Sequence, residues 1–191
     1  CHFDVLRLFG PMPTDTVDQN PILPYVTEVS IRPNAFISYA DYTQLLLQDL
    51  QQAEDCLKQA DPILTTSIAD LNTASKLADN YYGYRQTRMN YYAVCALKAR
   101  VLLWIGEKEE AARYAQLVID AKSADGNRTF QLGTLNDVST GDRTLSAEHI
   151  FDLKVDNLAT TLGTGTAFQK NRTNLESQLK AMNAFDRLPE V

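Results

Sequence analysis

Aromatic rings and hydrogen-bonding side chains stand close together in residues 79–88, DNYYGYRQTR. Tyr81 and Tyr82 follow Asn80 there, and Tyr25 stands in an earlier proline-rich stretch. A sugar ring has an apolar C–H face that packs on an aromatic ring, and its hydroxyls take hydrogen bonds from polar side chains. Tyr25, Asn80, Tyr81 and Tyr82 are therefore our candidate ligand-binding residues. The alternative interpretation is that these rings pack against a neighbouring helix.

Signatures of catalysis and metal binding are sparse. His2 and His149 have no partner at the spacing of a metal site, and we expect structural roles for both. The glycine-containing segment 133–142 lacks the Lys-Ser/Thr ending of a phosphate-binding loop, and no serine has nucleophile-elbow surroundings. Asp152 and Asp156 could flank a sugar as paired carboxylates, with solvated surface as the alternative. We expect no enzyme, no cofactor and no metal.

Composition excludes several classes of protein. The chain has 191 residues, a length that fits one domain, and 45% of them are hydrophobic. A net charge of −6 without clustered Lys and Arg argues against binding of nucleic acid. No apolar run reaches the roughly 20 residues that a membrane-spanning helix needs. Three cysteines do not make a disulfide framework, and Cys56 and Cys95 lie on apolar helical patterns that predict burial.

Three stretches show helical periodicity, at residues 38–60, 85–106 and 107–124. Ser38 starts the first helix as a capping residue, with an acidic residue three positions later. Gly106 ends the second helix. The second helix has two apolar stripes, which predicts neighbours on two sides.

The remaining segments are less regular. Residues 129–132 and 147–155 are predicted as short strands, and residues 157–167 as a flexible loop. A last helix is expected over 173–185. The proline-rich stretch 10–37 has no helical period, and we expect a long loop that wraps the core or carries function.

Two segments of the chain share an internal sequence repeat. Residues 3–10, FDVLRLFG, align with residues 99–106, ARVLLWIG, and each segment precedes an amphipathic helix. The sequence therefore predicts two stacked helical hairpins, similar to tetratricopeptide repeats. The alignment places Cys1 inside the first helix. This favours a chain cut from a longer protein over a mature lipoprotein that begins at its lipid-bearing cysteine.

Five sequence elements occur in an order that resembles the N-terminal half of the SusD/RagB family. They are an apolar-Arg-apolar-Phe-Gly run with prolines, an Asp-Leu pair with a following Ala, an Arg-x-Asn helix entry, an Ala- and Val-Ile-bearing helix, and an acidic-x-Ile-Phe segment. The residues are Leu6, Arg7, Leu8, Phe9, Gly10, Pro11 and Pro13; Asp49, Leu50 and Ala53; Arg88 and Asn90; Ala112, Ala115, Val118 and Ile119; and Glu148, Ile150 and Phe151. The resemblance fades after about residue 156, and family members are usually two to three times longer.

The resemblance implies a mainly α fold, a SusD-like superhelix of tetratricopeptide-like hairpins with long loops and one or two short strands. The helical-repeat domain would cover residues 1–156, with an insertion at 10–37, and 157–191 would begin a less regular region. Family members are lipid-anchored surface proteins of Bacteroidetes that bind oligosaccharides or other nutrients and cap a SusC-like TonB-dependent outer-membrane transporter. We therefore expect these partners and this location for the full-length protein. The alternative is a repeat scaffold that binds a protein and no glycan.

Overall fold

The computed structural model describes residues 1–13, 20–77, 79–142 and 144–153. These residues are mainly helical, as the periodicity predicts. The loop expected at 157–167, the helix expected at 173–185 and the region 157–191 lie outside the described residues. The elements are α1 (His2–Phe9), β1 (Pro21–Pro24), β2 (Phe36–Ser38), α2 (Tyr39–Ala60), α3 (Ile68–Leu71), α4 (Tyr91–Ile105), α5 (Lys108–Ile119) and α6 (Leu135–Ser139).

Helix α2 forms where its cap and its period predict it. The Ser38 hydroxyl accepts a hydrogen bond from the Asp41 backbone N–H at 3.1 Å, which satisfies one of the free donors at the helix start. Tyr42, Leu46 and Leu50 are buried along one face. The helix ends at Ala60 because Pro62, which cannot continue a helix, follows.

Helices α4 and α5 form the second predicted hairpin. Gly106 joins them in the left-handed conformation, with φ of 95°, which glycine adopts without steric cost. The predicted start at residue 85 is wrong, because Asn90 caps α4 and Arg85–Thr87 forms a separate 3-10 turn. Helix α5 ends at Ile119, earlier than predicted.

Residues His2–Phe9 form the predicted helical arm α1. Leu6 is fully buried beside Leu23 and Tyr42, and Phe3 packs in a cluster with Leu50 and Val101. Helix α2 packs on α4, and α4 packs on α5. The two hairpins are therefore in apolar contact within residues 1–152, as the repeat predicts.

The strands lie where the sequence did not predict them. Strands β1 and β2 pair antiparallel inside the proline-rich insertion. Residues 129–132 form no strand, and residues 147–153 begin in a 3-10 turn and pair with no strand. The side chains of Gln86 and Asn90, which precede α4, donate hydrogen bonds to backbone carbonyl groups of residues 147–153. These bonds take the place of the backbone ladder that a neighbouring strand would form.

The two internal cysteines differ in exposure. Cys95 is fully buried, as predicted, but Cys56 is exposed, which corrects the prediction for that residue. The buried face of α2 continues from Leu50 to Glu54, and Cys56 lies two residues further, on the opposite side of the helix. None of the helices in the described ranges has the length and apolarity that a membrane span requires.

Candidate functional site

Residues 79–88, which we call the tyrosine turn, are fixed by hydrogen bonds of their backbone. The Asp79 carboxylate accepts a hydrogen bond from the Tyr81 N–H at 2.8 Å. Tyr84 has a φ of 52°, and its N–H donates to the Leu71 carbonyl at 3.0 Å. Asn80 begins the first 3-10 turn of this segment. The turn is therefore tied to the end of α3 and presents its tyrosines from a defined backbone.

Tyr81 and Tyr82 present their rings to solvent. Tyr81 is 66% exposed and Tyr82 is 48% exposed. Their ring centroids lie 5.5 Å apart in an edge-to-face arrangement, a favoured geometry for an aromatic pair. The Arg88 guanidinium lies 4.8 Å from the Tyr81 ring centroid and donates to the Tyr81 carbonyl. The two rings are thus ordered by each other and by Arg88, and they are not packed under a neighbouring helix.

A cavity of about 370 Å³, which we call the tyrosine cavity, opens beside Tyr82. Lys58 and Gln59 at the end of α2 line it, together with Thr65. These side chains offer hydrogen-bond donors and acceptors next to one exposed aromatic ring. That combination suits a ligand with an apolar face and a rim of hydroxyl groups.

A buried ion pair includes Asp61, one of the residues around the tyrosine cavity. Asp61 lines this cavity, and its side chain has no exposed surface. Its two oxygens accept hydrogen bonds from Arg85 Nε at 2.9 Å and Nη2 at 2.8 Å. They also accept from the N–H groups of Ile63 at 3.1 Å and Tyr91 at 2.8 Å. One carboxylate thereby joins the end of α2, the tyrosine turn and the start of α4.

Two amide side chains attach the segment that follows α6. The Asn90 side chain accepts from the Ala93 N–H at 2.9 Å and donates to the Ile150 carbonyl at 2.8 Å. Gln86 donates to the His149 carbonyl at 2.6 Å. Asn90 is completely buried, so its paired groups have no competing water.

Tyr25 lies apart from the tyrosine turn. It lines a different cavity of about 580 Å³, and the two cavities share no lining residue. Its ring stacks on His2 at 4.1 Å, and its hydroxyl donates to Asp49 at 2.5 Å. Burial, together with the Asp49 carboxylate, raises the pKa of Tyr25. The candidate residues therefore separate into Asn80, Tyr81 and Tyr82 in one place and Tyr25 in another.

Both histidines have hydrogen-bond partners. His2 Nε2 lies 3.0 Å from the Val26 carbonyl oxygen. His149 lies between two acceptors, with Nδ1 2.8 Å from Asp152 and Nε2 2.9 Å from the Thr144 carbonyl oxygen. The hydrogen bond with Asp152 raises the pKa of His149. Asp156 lies outside the described residues, and within them no three His, Cys, Asp or Glu side chains converge as metal ligands.

A buried polar network that the sequence did not reveal connects α2, α4 and α5. Lys98 Nζ lies 2.8 Å from Glu54 Oε2 and 2.6 Å from the Tyr114 hydroxyl, and it also donates to Gln51. Burial opposes the charge on Lys98, but hydrogen bonds to Glu54 and Tyr114 raise its pKa overall. The network therefore ties α2, α4 and α5 together through buried polar side chains.

Sequence reasoning also missed Lys58, Gln59 and Thr65 as neighbours of Tyr82. The available signal was Pro62, which ends α2 and turns the chain back at this point. Comparison with protein-family models, curated proteins and solved structures gives no match for this chain.

Proposed function

We propose that this chain is the helical part of a surface protein that binds an oligosaccharide or another nutrient at the tyrosine turn and the tyrosine cavity. In this proposal it works with a SusC-like TonB-dependent outer-membrane transporter, and a lipid anchor holds the full-length protein at the outer membrane. The protein is a binding protein and not an enzyme. The observation that carries the proposal is the exposed Tyr81–Tyr82 pair beside a cavity with polar side chains.

Two features support a glycan at this place. Two ordered rings can pack on the C–H faces of sugar units. Lys58, Gln59 and Thr65 lie within the adjoining cavity, where hydroxyl groups of the same ligand can pair with them. The order of the five sequence elements supports the transporter as a partner, because members of the SusD/RagB family, which the chain resembles, associate with one.

The glycan proposal is tested by calorimetric titration of the chain with malto-, xylo-, manno- and galacto-oligosaccharides. We expect one class to bind. Tyr82 has 48% of its surface left to bury. Half of the roughly 1.5–3 kcal/mol for a fully buried aromatic ring is about 1 kcal/mol. The variant Tyr82→Ala should therefore weaken binding roughly fivefold.

Phe9→Ala is the matched control, because Phe9 is 73% exposed and lies on α1 outside the tyrosine cavity. Binding that is insensitive to Tyr82→Ala, or equally sensitive to Phe9→Ala, would contradict the site. The transporter is tested by co-purification of the full-length protein with the product of a neighbouring TonB-dependent transporter gene. Failure of that experiment alone would remove the partner and leave the glycan site standing.

The second candidate function is a protein-binding helical scaffold. An open groove of about 460 Å³ runs between α4 and α5, lined by alanines such as Ala99, Ala111 and Ala115. Leu103 and Ile119 border it and are 61% and 52% exposed. Small side chains allow a close approach of another helix. A scaffold of this kind would be silent across the whole glycan panel and would still bind a partner protein through the groove.

A further inference from the structure

The cavity that contains Tyr25, which we call the aliphatic cavity, is a second, partly open space with different chemistry. It has a volume of about 580 Å³, within the range of roughly 300–1,000 Å³ typical of small-molecule sites. Helices α1, α2 and α4 and residues 150–151 form its walls. Leu46, Leu50, Leu97 and Ile150 are among the side chains that make these walls largely aliphatic.

Arg100 supplies a positive charge to the aliphatic cavity. Its guanidinium carbon lies 5.6 Å from the centroid of the Phe3 ring, so the ring supports one side of the group. Phe3 is itself 5% exposed and packed in the core, which makes this support rigid. Arginine held on an aromatic ring still offers its N–H donors in the guanidinium plane.

The carboxylates of the same cavity leave Arg100 without a counter-ion. Asp4 pairs with the Cys1 ammonium at 3.6 Å and with Arg7 at 4.0 Å, and Asp49 accepts the Tyr25 hydroxyl at 2.5 Å. No acidic side chain in the described part of the chain lies within ion-pair distance of Arg100. A guanidinium beside aliphatic walls is complementary to a carboxylate that carries an apolar tail.

We propose that the aliphatic cavity binds a monocarboxylate with an aliphatic tail, the tail against Leu46, Leu50 and Leu97 and the carboxylate on Arg100. This site is separate from the tyrosine cavity and does not depend on the glycan proposal. Tyr25 and His2 form one side of it, which gives these two residues a role in a lipid-like ligand's site and not in the sugar site.

Calorimetric or NMR titration with three probes tests the proposal on the whole chain. Decanoate has the tail and the charge, decanol has the tail alone, and acetate has the charge alone. We expect decanoate to bind more tightly than decanol, and acetate to show no binding. Equal affinity for decanoate and decanol would overturn the role of Arg100, and no binding of either would overturn the site.

Variants separate the charge from the tail. Arg100→Gln should weaken decanoate binding roughly tenfold or more, because hydrogen bonds to a charged group are lost, and should leave decanol binding unchanged. Asp49→Asn should strengthen decanoate binding, because it removes a like charge from the cavity. Ala96→Leu should weaken both decanoate and decanol by filling space. Arg32→Gln, on an exposed loop outside the cavity, is the matched control.

Circular dichroism of each variant shows whether the helices are retained, so a loss of binding is read only in folded protein. Decanoate binding that weakens equally in Arg100→Gln and Arg32→Gln would show a general charge effect and overturn the proposal. If Arg100→Gln weakens decanol binding as much as decanoate binding, Arg100 contributes to the apolar wall and does not pair with the carboxylate. That result would overturn the proposal as well.

Discussion

Replacement of Asp61 by Asn should destabilise the fold strongly, although the two side chains have the same shape. The Asp61 oxygens accept four hydrogen bonds, two each, from Arg85 and from the N–H groups of Ile63 and Tyr91. In either amide orientation, the NH₂ group of Asn faces two donors, so two of these bonds are lost. An unsatisfied buried donor costs about 1–3 kcal/mol, and breaking a buried ion pair costs about 3–5 kcal/mol.

We therefore expect Asp61→Asn to lower the free energy of unfolding by about 3–5 kcal/mol. For a chain of this size, 1 kcal/mol corresponds to about 2–4 °C in Tm, so the melting temperature should fall by roughly 6–20 °C. Thermal and urea unfolding followed by circular dichroism measure both quantities. Asp55→Asn is the matched control, because Asp55 lies exposed on the same helix and accepts a hydrogen bond from the exposed Gln51 at 3.0 Å.

A double-mutant cycle with Arg85→Gln tests the cause. Residues in direct contact show coupling energies of about 0.5–3 kcal/mol, so Arg85→Gln should cost less in the Asp61→Asn background than alone. A loss of less than about 1 kcal/mol in Asp61→Asn, similar to that in Asp55→Asn, would refute the reasoning. Purely additive effects would show that the pair is not a unit.

Three further predictions concern buried and titrating groups. Lys98→Met leaves a buried glutamate without its cation and should cost about 3–5 kcal/mol in urea unfolding, whereas exposed Lys58→Met should stay within about 0.5 kcal/mol. His149 has a pKa above its ordinary 6.5 in the folded chain, so its stabilising contribution should be complete below about pH 6.5 and lost as pH rises through the folded pKa. His149→Gln should remove this part of the pH dependence of Tm, and an unchanged profile would contradict it. A thiol reagent should label Cys1 and Cys56 in the native chain and Cys95 only after unfolding, because Cys95 is buried and burial raises its pKa to about 11.

The helices could be predicted because their signals are local. Ser38 caps α2 within one turn, and Gly106 ends α4 at the position where a left-handed residue is required. The repeat of residues 3–10 in residues 99–106 also predicts that the two hairpins pack together, because two segments with the same pattern bury equivalent faces.

The strands could not be predicted, because prolines argue against strands in general. Pro21 and Pro24 are the end residues of β1, which is tolerated because a two-stranded sheet has only edge strands. The predicted start of α4 is too early for a different reason. Asn90 caps the helix, but its other bonds go to the carbonyls of Arg85 and Ile150, and the second of these is 60 residues away.

The candidate site was only partly visible in the sequence. Tyr81 and Tyr82 are adjacent in the chain and remain adjacent in space, so their spacing was informative. The ion pair beside the tyrosine cavity joins Asp61 and Arg85, which are 24 residues apart and show no periodic pattern. Ion pairs of this kind are set by tertiary packing, and single-sequence patterns carry no signal for them. Tyr25 could not be separated from the other tyrosines for the same reason.

The two proposed sites predict independent behaviour, because the tyrosine cavity and the aliphatic cavity share no lining residue. Mutations without shared partners usually act additively. Tyr82→Ala should therefore weaken glycan binding and leave decanoate binding unchanged. Arg100→Gln should weaken decanoate binding and leave glycan binding unchanged. Each ligand titrated in the presence of saturating amounts of the other measures the coupling directly. Competition between an oligosaccharide and decanoate would contradict two separate sites, since ligands of one cavity exclude each other and ligands of two cavities without common residues do not.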